Sequence, residues 1–549
     1  MTTMNMIGFF DKHKLKPREQ QIEALARIEM GWTDYKYFAI SAPPGVGKTY
    51  IALSIADAIK NSYLLTATKY LQEQYQLSSA KLVDLKGRSN YICNVNPMFT
   101  ADEAPCMVDK TLKKMCISSN SCDYYRQKKA ALSSQMMITN YAYFLAATTG
   151  AQDDDETDWK PRSAIIMDEA HELEKHLISV AEIRLNLGDL YSNYGIGHED
   201  WKVSTDLQEN RDLLNKLLEI MNAKSEELQD KMDALIKDDT FMQKGQAKNI
   251  PKATAEKVRR IKSRKTQIDN YISKIGIFKS TFELEDCPWV ESSNLEENSL
   301  IISPLSSKYL FALCLDFMAD KFVFMSATLP PKEEFCRELG IDPTEMLYVE
   351  VDTPFLPEKS PVVSLPVAKM NYKELEAGLP RIVEAVEAIL DEHPKEKGLI
   401  HTGNYKIASE IIRRVGKKYK DRLIARDMQQ TKMSNNDLIK MHSSSSDPSV
   451  LLSPSMTTGV DLYDDLARFQ IIVKLPFPSL GDPRIKKKSE LYKNWYNTQM
   501  WMDFLQSSCR ATRSESDFST TYVLDGSFEY FYNMQRAKLP KWFIKRVEQ

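Results

Sequence analysis

The chain has 549 residues, 43% of them hydrophobic, and its 73 basic and 76 acidic side chains leave a formal charge of −3. At ~150 residues per domain this length predicts roughly three to four domains, and so apolar a chain is not disordered. The near-even balance excludes a chain-wide basic coat for nucleic acid, though not a local basic groove. No apolar run approaches the ~18 residues of a membrane span. The longest candidate, 309–325, is broken by Asp316, Asp320 and Lys321. Residues 1–16 lack the apolar core and cleavage site of a signal peptide. A soluble intracellular protein is expected, with no membrane partner.

In chain order, the first 180 residues alternate short apolar runs with helical patterns. Segments 37–41, 63–66 and 164–167 read as buried strands. Segment 49–60 reads as a helix with Ile51, Ile55, Ala58 and Ile59 near one face. Such alternation predicts a parallel sheet with helices on both faces. The acidic run Asp153-Asp154-Asp155-Glu156 reads as a solvated turn. From about 185 to 287 the strand signals stop. Leu207, Leu214, Met221, Leu228 and Leu235 recur every seven residues, and Val258, Ile261, Ile268, Ile272 and Ile275 follow a helix seam. With Gly245 and Pro251 between them, these runs predict two antiparallel helices. A plain helical hairpin without an active role fits the same pattern. Strand signals return at 321–325, and Pro354 and Pro357 mark a linker. A second alternating region follows, with strands expected at 398–401, 450–452, 470–473 and 521–524.

Ala42-Pro43-Pro44-Gly45-Val46-Gly47-Lys48-Thr49 follows a strand and opens a helix, the context of a P-loop. Gly45 and Gly47 let the backbone curl so that N–H groups face phosphate oxygens, and the helix N-terminus adds to that field. Lys48 is suited to the β- and γ-phosphates of ATP and the Thr49 hydroxyl to Mg²⁺. Asp168-Glu169-Ala170-His171 follows strand 164–167. There Asp168 is placed to hold Mg²⁺ and Glu169 to polarise the attacking water, while His171 couples the site to other motifs. Far downstream, Gln506-Ser507-Ser508-Cys509-Arg510-Ala511-Thr512-Arg513 sets Arg510 and Arg513 three apart, as if on one helix face, suited to transition-state charge on a γ-phosphate.

Eight cysteines are too few for a disulfide scaffold. Cys287, Cys314, Cys336 and Cys509 are scattered and read as small packed hydrophobes. Cys93, Cys106, Cys116 and Cys122 fall together, with twelve, nine and five residues between them. This is not the paired spacing of a zinc ribbon, but spacing alone leaves zinc and an iron–sulfur cluster both open. Segment 81–129 carries a net charge of +4 and segment 484–549 one of +5. In the first, Tyr91, Tyr124 and Tyr125 interleave with Arg88, Arg126, Lys128 and Lys129, as in single-strand channels. A solvated surface fits the same composition.

The order of these motifs resembles the iron–sulfur XPD/DinG-like family of superfamily 2 helicases over nearly the whole chain. Arg18-Glu19-Gln20-Gln21 looks like its nucleotide-sensing segment, with Gln21 at adenine. Thr66-Ala67-Thr68-Lys69 is similar to its strand-binding motif, Ser326-Ala327-Thr328-Leu329 to its coupling motif, and Thr458-Gly459-Val460-Asp461 to its second-lobe nucleotide loop. Residues 506–513 match its arginine-finger motif, with Cys509 where glycine is usual. Leu85 to Cys93 looks like the entry to its cluster domain, which implies a four-iron four-sulfur cluster on the four cysteines. The resemblance implies an α/β fold with two RecA-like motor domains. The first motor domain would comprise 1–87, 127–184 and 296–352, interrupted by a cluster domain at 88–126 and a helical arch at 185–295. The second would be 353–549. It implies a monomeric ATP-dependent DNA helicase on single-stranded and forked DNA, moving 5′-to-3′, with ATP, Mg²⁺ and the cluster as cofactors. Thr68, Lys69, Arg88, Tyr91 and Tyr125 are the expected strand contacts. An ATP-driven clamp, remodeller or structure sensor, and a motor preferring RNA, remain alternatives.

Overall fold

Short apolar strands buried on both faces need helices above and below them. Tyr37–Ser41, Ser62–Thr66 and Met136–Asn140 are buried at every position. They lie inside a seven-stranded parallel sheet ordered Met346–Glu350, Tyr37–Ser41, Ala319–Ser326, Arg162–Asp168, Ser62–Thr66, Met136–Asn140 and Val83–Asp84. The computed structural model describes residues 4–548 apart from 80, 108–109, 150–158, 239–241, 244–245, 248–251, 285–286, 427–432, 455–461, 463, 513 and 515. The expected acidic turn at 153–156 and the Gly245 and Pro251 connection therefore lie outside the described residues.

The sheet order positions the site. Ser41 pairs with Ser326, and Met325 with Asp168, so the P-loop, the 326–329 motif and the 168–171 motif leave the sheet at one edge. Ligands of parallel α/β sheets bind at such carboxyl ends. Helix Lys48–Ile59, buried through Ile51, Leu53 and Ile55, covers one face beside helix Glu19–Gly31.

A second sheet, also seven-stranded and parallel, runs Leu423–Ile424, Val450–Ser453, Gly398–His401, Phe469–Ile472, Thr520–Asp525, Val362–Ala368 and Val547–Glu548. Residues 351–356, with Pro354, pass between the lobes without regular structure. Among the described residues, no helix is long and apolar enough to cross a membrane.

The heptad pattern becomes helices Leu207–Asp238 and Lys252–Thr281. Leu214, Leu217, Met221, Leu228 and Met232 are buried on the first, and Val258, Ile268, Ile275 and Phe278 on the second. Full burial of each such side chain contributes about 2 kcal/mol. The root of this pair is a three-stranded antiparallel sheet of Ile183–Asn186, Ser299–Pro304 and Trp289–Glu291. Its register, Ser299 on Asn186 to Ile302 on Ile183, places strands from both sides of the expected 184/185 and 295/296 boundaries in one unit. The root thus joins both sides of those boundaries, because Ser299–Pro304 pairs with Ile183–Asn186 on one edge and Trp289–Glu291 on the other. Replacing 205–283 with a short linker is expected to spare basal ATP hydrolysis, whose groups lie at the sheet edge. Strand-displacement yield on forked DNA should fall. Equal yields with and without the helices would leave them a passive hairpin.

The lobes also meet through buried charge. Lys488, on helix Pro483–Leu491, is fully buried, with its ammonium 2.6 Å from both Glu174 Oε1 and Glu338 Oε2. Arg484 on the same helix donates to Glu174 and to the Pro304 carbonyl. Two carboxylates around one buried ammonium satisfy charges that burial alone would penalise.

Candidate active site

The loop after Tyr37–Ser41 owes its shape to two glycines. Gly45 and Gly47 have φ of 81° and 89°. A Cβ on Gly47 would stand 2.4 Å from Gln21 Nε2. Ala42, in place of a first glycine, is fully buried, donates its N–H to the Ser326 carbonyl at 2.9 Å, and is not among the left-handed positions. The turn closes with Val46 N–H on the Pro43 carbonyl at 3.4 Å, Pro44 lying inside it. Lys48 opens the helix and its Nζ donates to the Ala42 carbonyl at 3.3 Å, which folds the ammonium over the loop.

Arg18 and Gln21 brace this loop. Arg18 donates to the Gly45 carbonyl, and Gln21 Nε2 donates to the Val46 carbonyl at 2.9 Å. Gln21 Oε1 accepts the Arg18 N–H at 2.8 Å. Gln21 is buried. Its amide meets the P-loop backbone on one side and the helix cap on the other, which puts it beside the nucleotide loop.

Asp168 is buried at the end of its strand, accepting the Tyr75 hydroxyl at 2.8 Å and the Glu169 N–H at 3.0 Å. Burial and the neighbouring Glu169 charge push its carboxyl up, against Lys48 and Tyr75. Glu169 has the opposite balance. Burial opposes its charge, but His171, Lys48 and Arg510 outweigh that and hold the carboxyl down, in the ionised form. Its backbone is left-handed, at φ 53°, a costly conformation for a non-glycine residue. Tyr75 was not legible as a site residue. It is fully buried and donates to Asp168, with the Thr49 hydroxyl close enough to favour its ionised form, so it lies between the two groups suited to Mg²⁺. The one trace in the sequence is that Gln72 and Tyr75 share a helix face.

His171 connects three motifs. Its Nδ1 lies 2.7 Å from Ser326 Oγ and 3.3 Å from Glu169 Oε2. From the second lobe, Gln506 Nε2 donates to Thr328 Oγ1 at 2.7 Å and lies 3.3 Å from His171 Nε2. Helix Trp495–Ser508 ends just beyond Gln506. The Ser508 carbonyl is taken by Arg546 at 3.2 Å and Gln470 at 3.3 Å in place of a continuing helix. Arg510 therefore lies past the helix end, which corrects the expectation of two arginines on one helix face. It is buried and acts electrostatically on Glu169 and His401. Cys509, the departure from glycine, has φ −106°, a conformation open to any residue. Arg513, Gly459 and Asp461 lie outside the described residues. Arg510→Ala is expected to lower ATP turnover ~100-fold or more. Nucleotide affinity should change little, since the charge matters most in the transition state. Steady-state kcat and nucleotide Kd, measured together, check this.

The cysteine segment has almost no sheet, only the isolated bridge of Ile92 with Thr100. Its helices Lys110–Ser118 and Asp123–Ser133 bring Cys93, Cys106, Cys116 and Cys122 to one small cavity, also lined by Ala101, Ala104 and Tyr124. All four cysteines are buried. Contact with Cys116, together with burial, raises the Cys106 thiol, while the same contact lowers Cys116 against its own burial. Cys93 accepts the Asn96 N–H at 3.4 Å. Burial raises the Cys122 thiol, against the backbone N–H groups of Tyr125 and Tyr124. Backbone donors of this kind stabilise thiolates. Among the described residues, no group of three or more His, Cys, Asp or Glu is placed to hold a metal ion as they stand. An all-sulfur donor set of four buried cysteines fits a thiolate-ligated cluster.

Arg88 and Tyr125, expected at a strand, are buried in this lobe instead, and Arg88 donates to the Tyr125 hydroxyl at 3.2 Å and lies 4.5 Å over the Tyr124 ring. Their placement corrects that expectation, because packing beneath the cavity removes them from solvent. Tyr91 is half-buried, edge-on to Tyr124, and its hydroxyl accepts the Lys86 N–H at 3.3 Å. Thr68 and Lys69 are exposed. Thr68 caps helix Lys69–Ser78 and Lys69 reaches Asn90 at 2.8 Å.

Two stacked parallel lobes with a P-loop and an acidic pair facing a second-lobe arginine define a two-lobed NTP-driven motor. Residues 386–546 match the family model described as helicase C-terminal domain, and residues 14–191 that described as type III restriction enzyme, res subunit. Among solved structures, one titled XPD helicase is 17% identical with a TM-score of 0.62, covering 97% of this chain and 99% of its own. An apo XPD is 16% identical at 0.56, covering 94% and 98%. Xpd4 of S. tokodaii is 15% identical at 0.53, covering 97% and 99%. The second lobe thus carries a helicase C-terminal domain, and the chain as a whole shares the fold of XPD helicases.

Proposed function

We propose that the protein is an ATP-dependent DNA helicase that moves along a single strand, 5′-to-3′, and unwinds the duplex ahead of it. The observation that carries this reading is the Gln506 side chain, which reaches from the second lobe to Thr328 and His171 of the first. A change at the nucleotide thereby has a hydrogen-bonded route to both the lobe interface and the motif after Ser326.

The loop of Gly45, Val46, Gly47, Lys48 and Thr49 would hold the triphosphate, its N–H groups and the Lys48 ammonium facing the oxygens. Thr49 and Asp168 would hold magnesium, which when bound polarises the phosphate oxygens. Glu169, kept ionised by His171, Lys48 and Arg510, would orient and polarise the attacking water. Arg510 and Arg513 would neutralise charge on the transferred phosphoryl group, with Gly459 and Asp461 completing the second-lobe face. Closing and reopening this cleft would shift one lobe against the other along the strand, held on the first lobe through Thr68 and Lys69. Cys93, Cys106, Cys116 and Cys122 would hold the four-iron four-sulfur cluster, which when bound supplies covalent links that pin a lobe with little core of its own. The polarity rests on the family resemblance alone.

Strand displacement on duplexes carrying only a 5′ tail or only a 3′ tail, with ATPase followed in parallel, tests the reading. Displacement from the 5′-tailed duplex alone is expected. DNA-stimulated hydrolysis with no displacement from either would leave the clamp or structure sensor. Displacement confined to RNA would make the motor an RNA helicase.

A further inference from the structure

Two basic side chains of the arch reach the cysteine lobe. Arg259 and Lys262, three residues apart on helix Lys252–Thr281, share one face. Arg259 Nε donates to Glu103 Oε1 at 2.7 Å, and Lys262 Nζ donates to the Asp102 carbonyl. Both acceptors belong to a turn that forms a wall of the cysteine cavity. The Glu103 N–H closes on the Thr100 carbonyl at 3.1 Å, the Ala101 N–H on that of Tyr91 at 2.8 Å, and Ala101 and Ala104 line the cavity. The Lys262 ammonium is within electrostatic reach of Cys106, Asp102, Arg88 and Lys113. Burial, Arg88 and Lys113 pull the Lys262 ammonium down to about 7, against Asp102 and then Cys106, which favour the cation.

We propose that Lys262 is a positioning residue that docks the arch on the cysteine lobe through the charge of the bound cluster. The proposal rests on the four cysteines holding an iron–sulfur cluster. Four thiolates on a cubane leave a net negative charge, which grows on one-electron reduction. A cation carried by the arch stabilises that charge, and by linkage the charge holds the arch down. Arch closure then reports whether the cluster is present, and the cluster's potential reports whether the arch is closed.

The test uses the full chain, purified anaerobically, as wild type, Lys262→Met and Lys257→Met. Lys257 is exposed on the same helix and controls for loss of one charge. Iron content, the midpoint potential from dithionite titration of absorption near ~400 nm, and hydrogen exchange of residues 256–266 are read in each. The expected result is equal iron in all three proteins and a more negative midpoint in Lys262→Met only. Exchange at 256–266 should be slower in cluster-loaded than in iron-stripped wild type, with that difference lost in Lys262→Met. A Lys262→Met midpoint no different from that of Lys257→Met, or equal exchange in loaded and stripped wild type, would overturn the docking. Wild type that binds no iron would overturn the cluster reading itself, and the docking with it.

Discussion

Lys48→Ala is expected to abolish ATP hydrolysis and unwinding while leaving the fold and single-strand binding intact. The ammonium is half-buried and bonds the Ala42 carbonyl at a long 3.3 Å, so its loss removes one weak bond and some charge compensation for Asp168 and Glu169 but no core packing. The loop keeps its shape from the φ values of Gly45 and Gly47 and from the braces of Arg18 and Gln21. What disappears is a cation placed where charge develops on the transferred phosphoryl group. Loss of one such contact costs about 100-fold or more in turnover. Phosphate release and thermal melting, measured on one preparation, check both halves. Near-normal turnover would remove Lys48 from the site, and a collapsed melting transition would make it structural.

The second large effect is expected at the cysteines. Anaerobically purified protein should be brown, with broad absorption near ~400 nm and about four irons per chain. Cys116→Ser should bleach it and loosen the lobe. Cys116 is the thiol that Cys106 holds toward the thiolate, and all four cysteines face the one cavity. So short a segment buries little core, so ligation and folding are linked. Unwinding should fail more completely than hydrolysis, because Lys48, Asp168 and Arg510 lie outside the lobe. Iron analysis, absorption and the two activities decide it. Colourless wild type with one zinc per chain would replace the cluster, and metal-free protein that unwinds normally would show that the cysteines are not a site.

How much was legible in the sequence depended on how local the information is. Strand 37–41 and strand 398–401 were readable because a continuous apolar run bounded by turn residues can only be buried on both faces. Met136–Asn140 was missed, since only Ser134 and Gln135 separate it from helix Asp123–Ser133, and its place between Ser62–Thr66 and Val83–Asp84 makes it a strand. Val362–Ala368 was missed because Ser364 and Pro366 break its apolar run, while pairing with Thr520–Asp525 holds the segment extended.

By itself the sequence determined the P-loop with its helix, the acidic pair at a strand end, the heptad hairpin and the grouping of four cysteines. Each rests on spacing along one segment, which backbone geometry converts directly into a shared face or a turn. Tertiary structure alone decided that Tyr75 meets Asp168, that Gln506 meets His171 and Thr328, and that Arg510 lies beyond its helix. It also decided that Arg88 and Tyr125 are buried and that Lys262 reaches the cysteine lobe from the arch. These contacts join residues tens to hundreds of positions apart. Their distances are set by sheet order and lobe packing, and no local pattern encodes them.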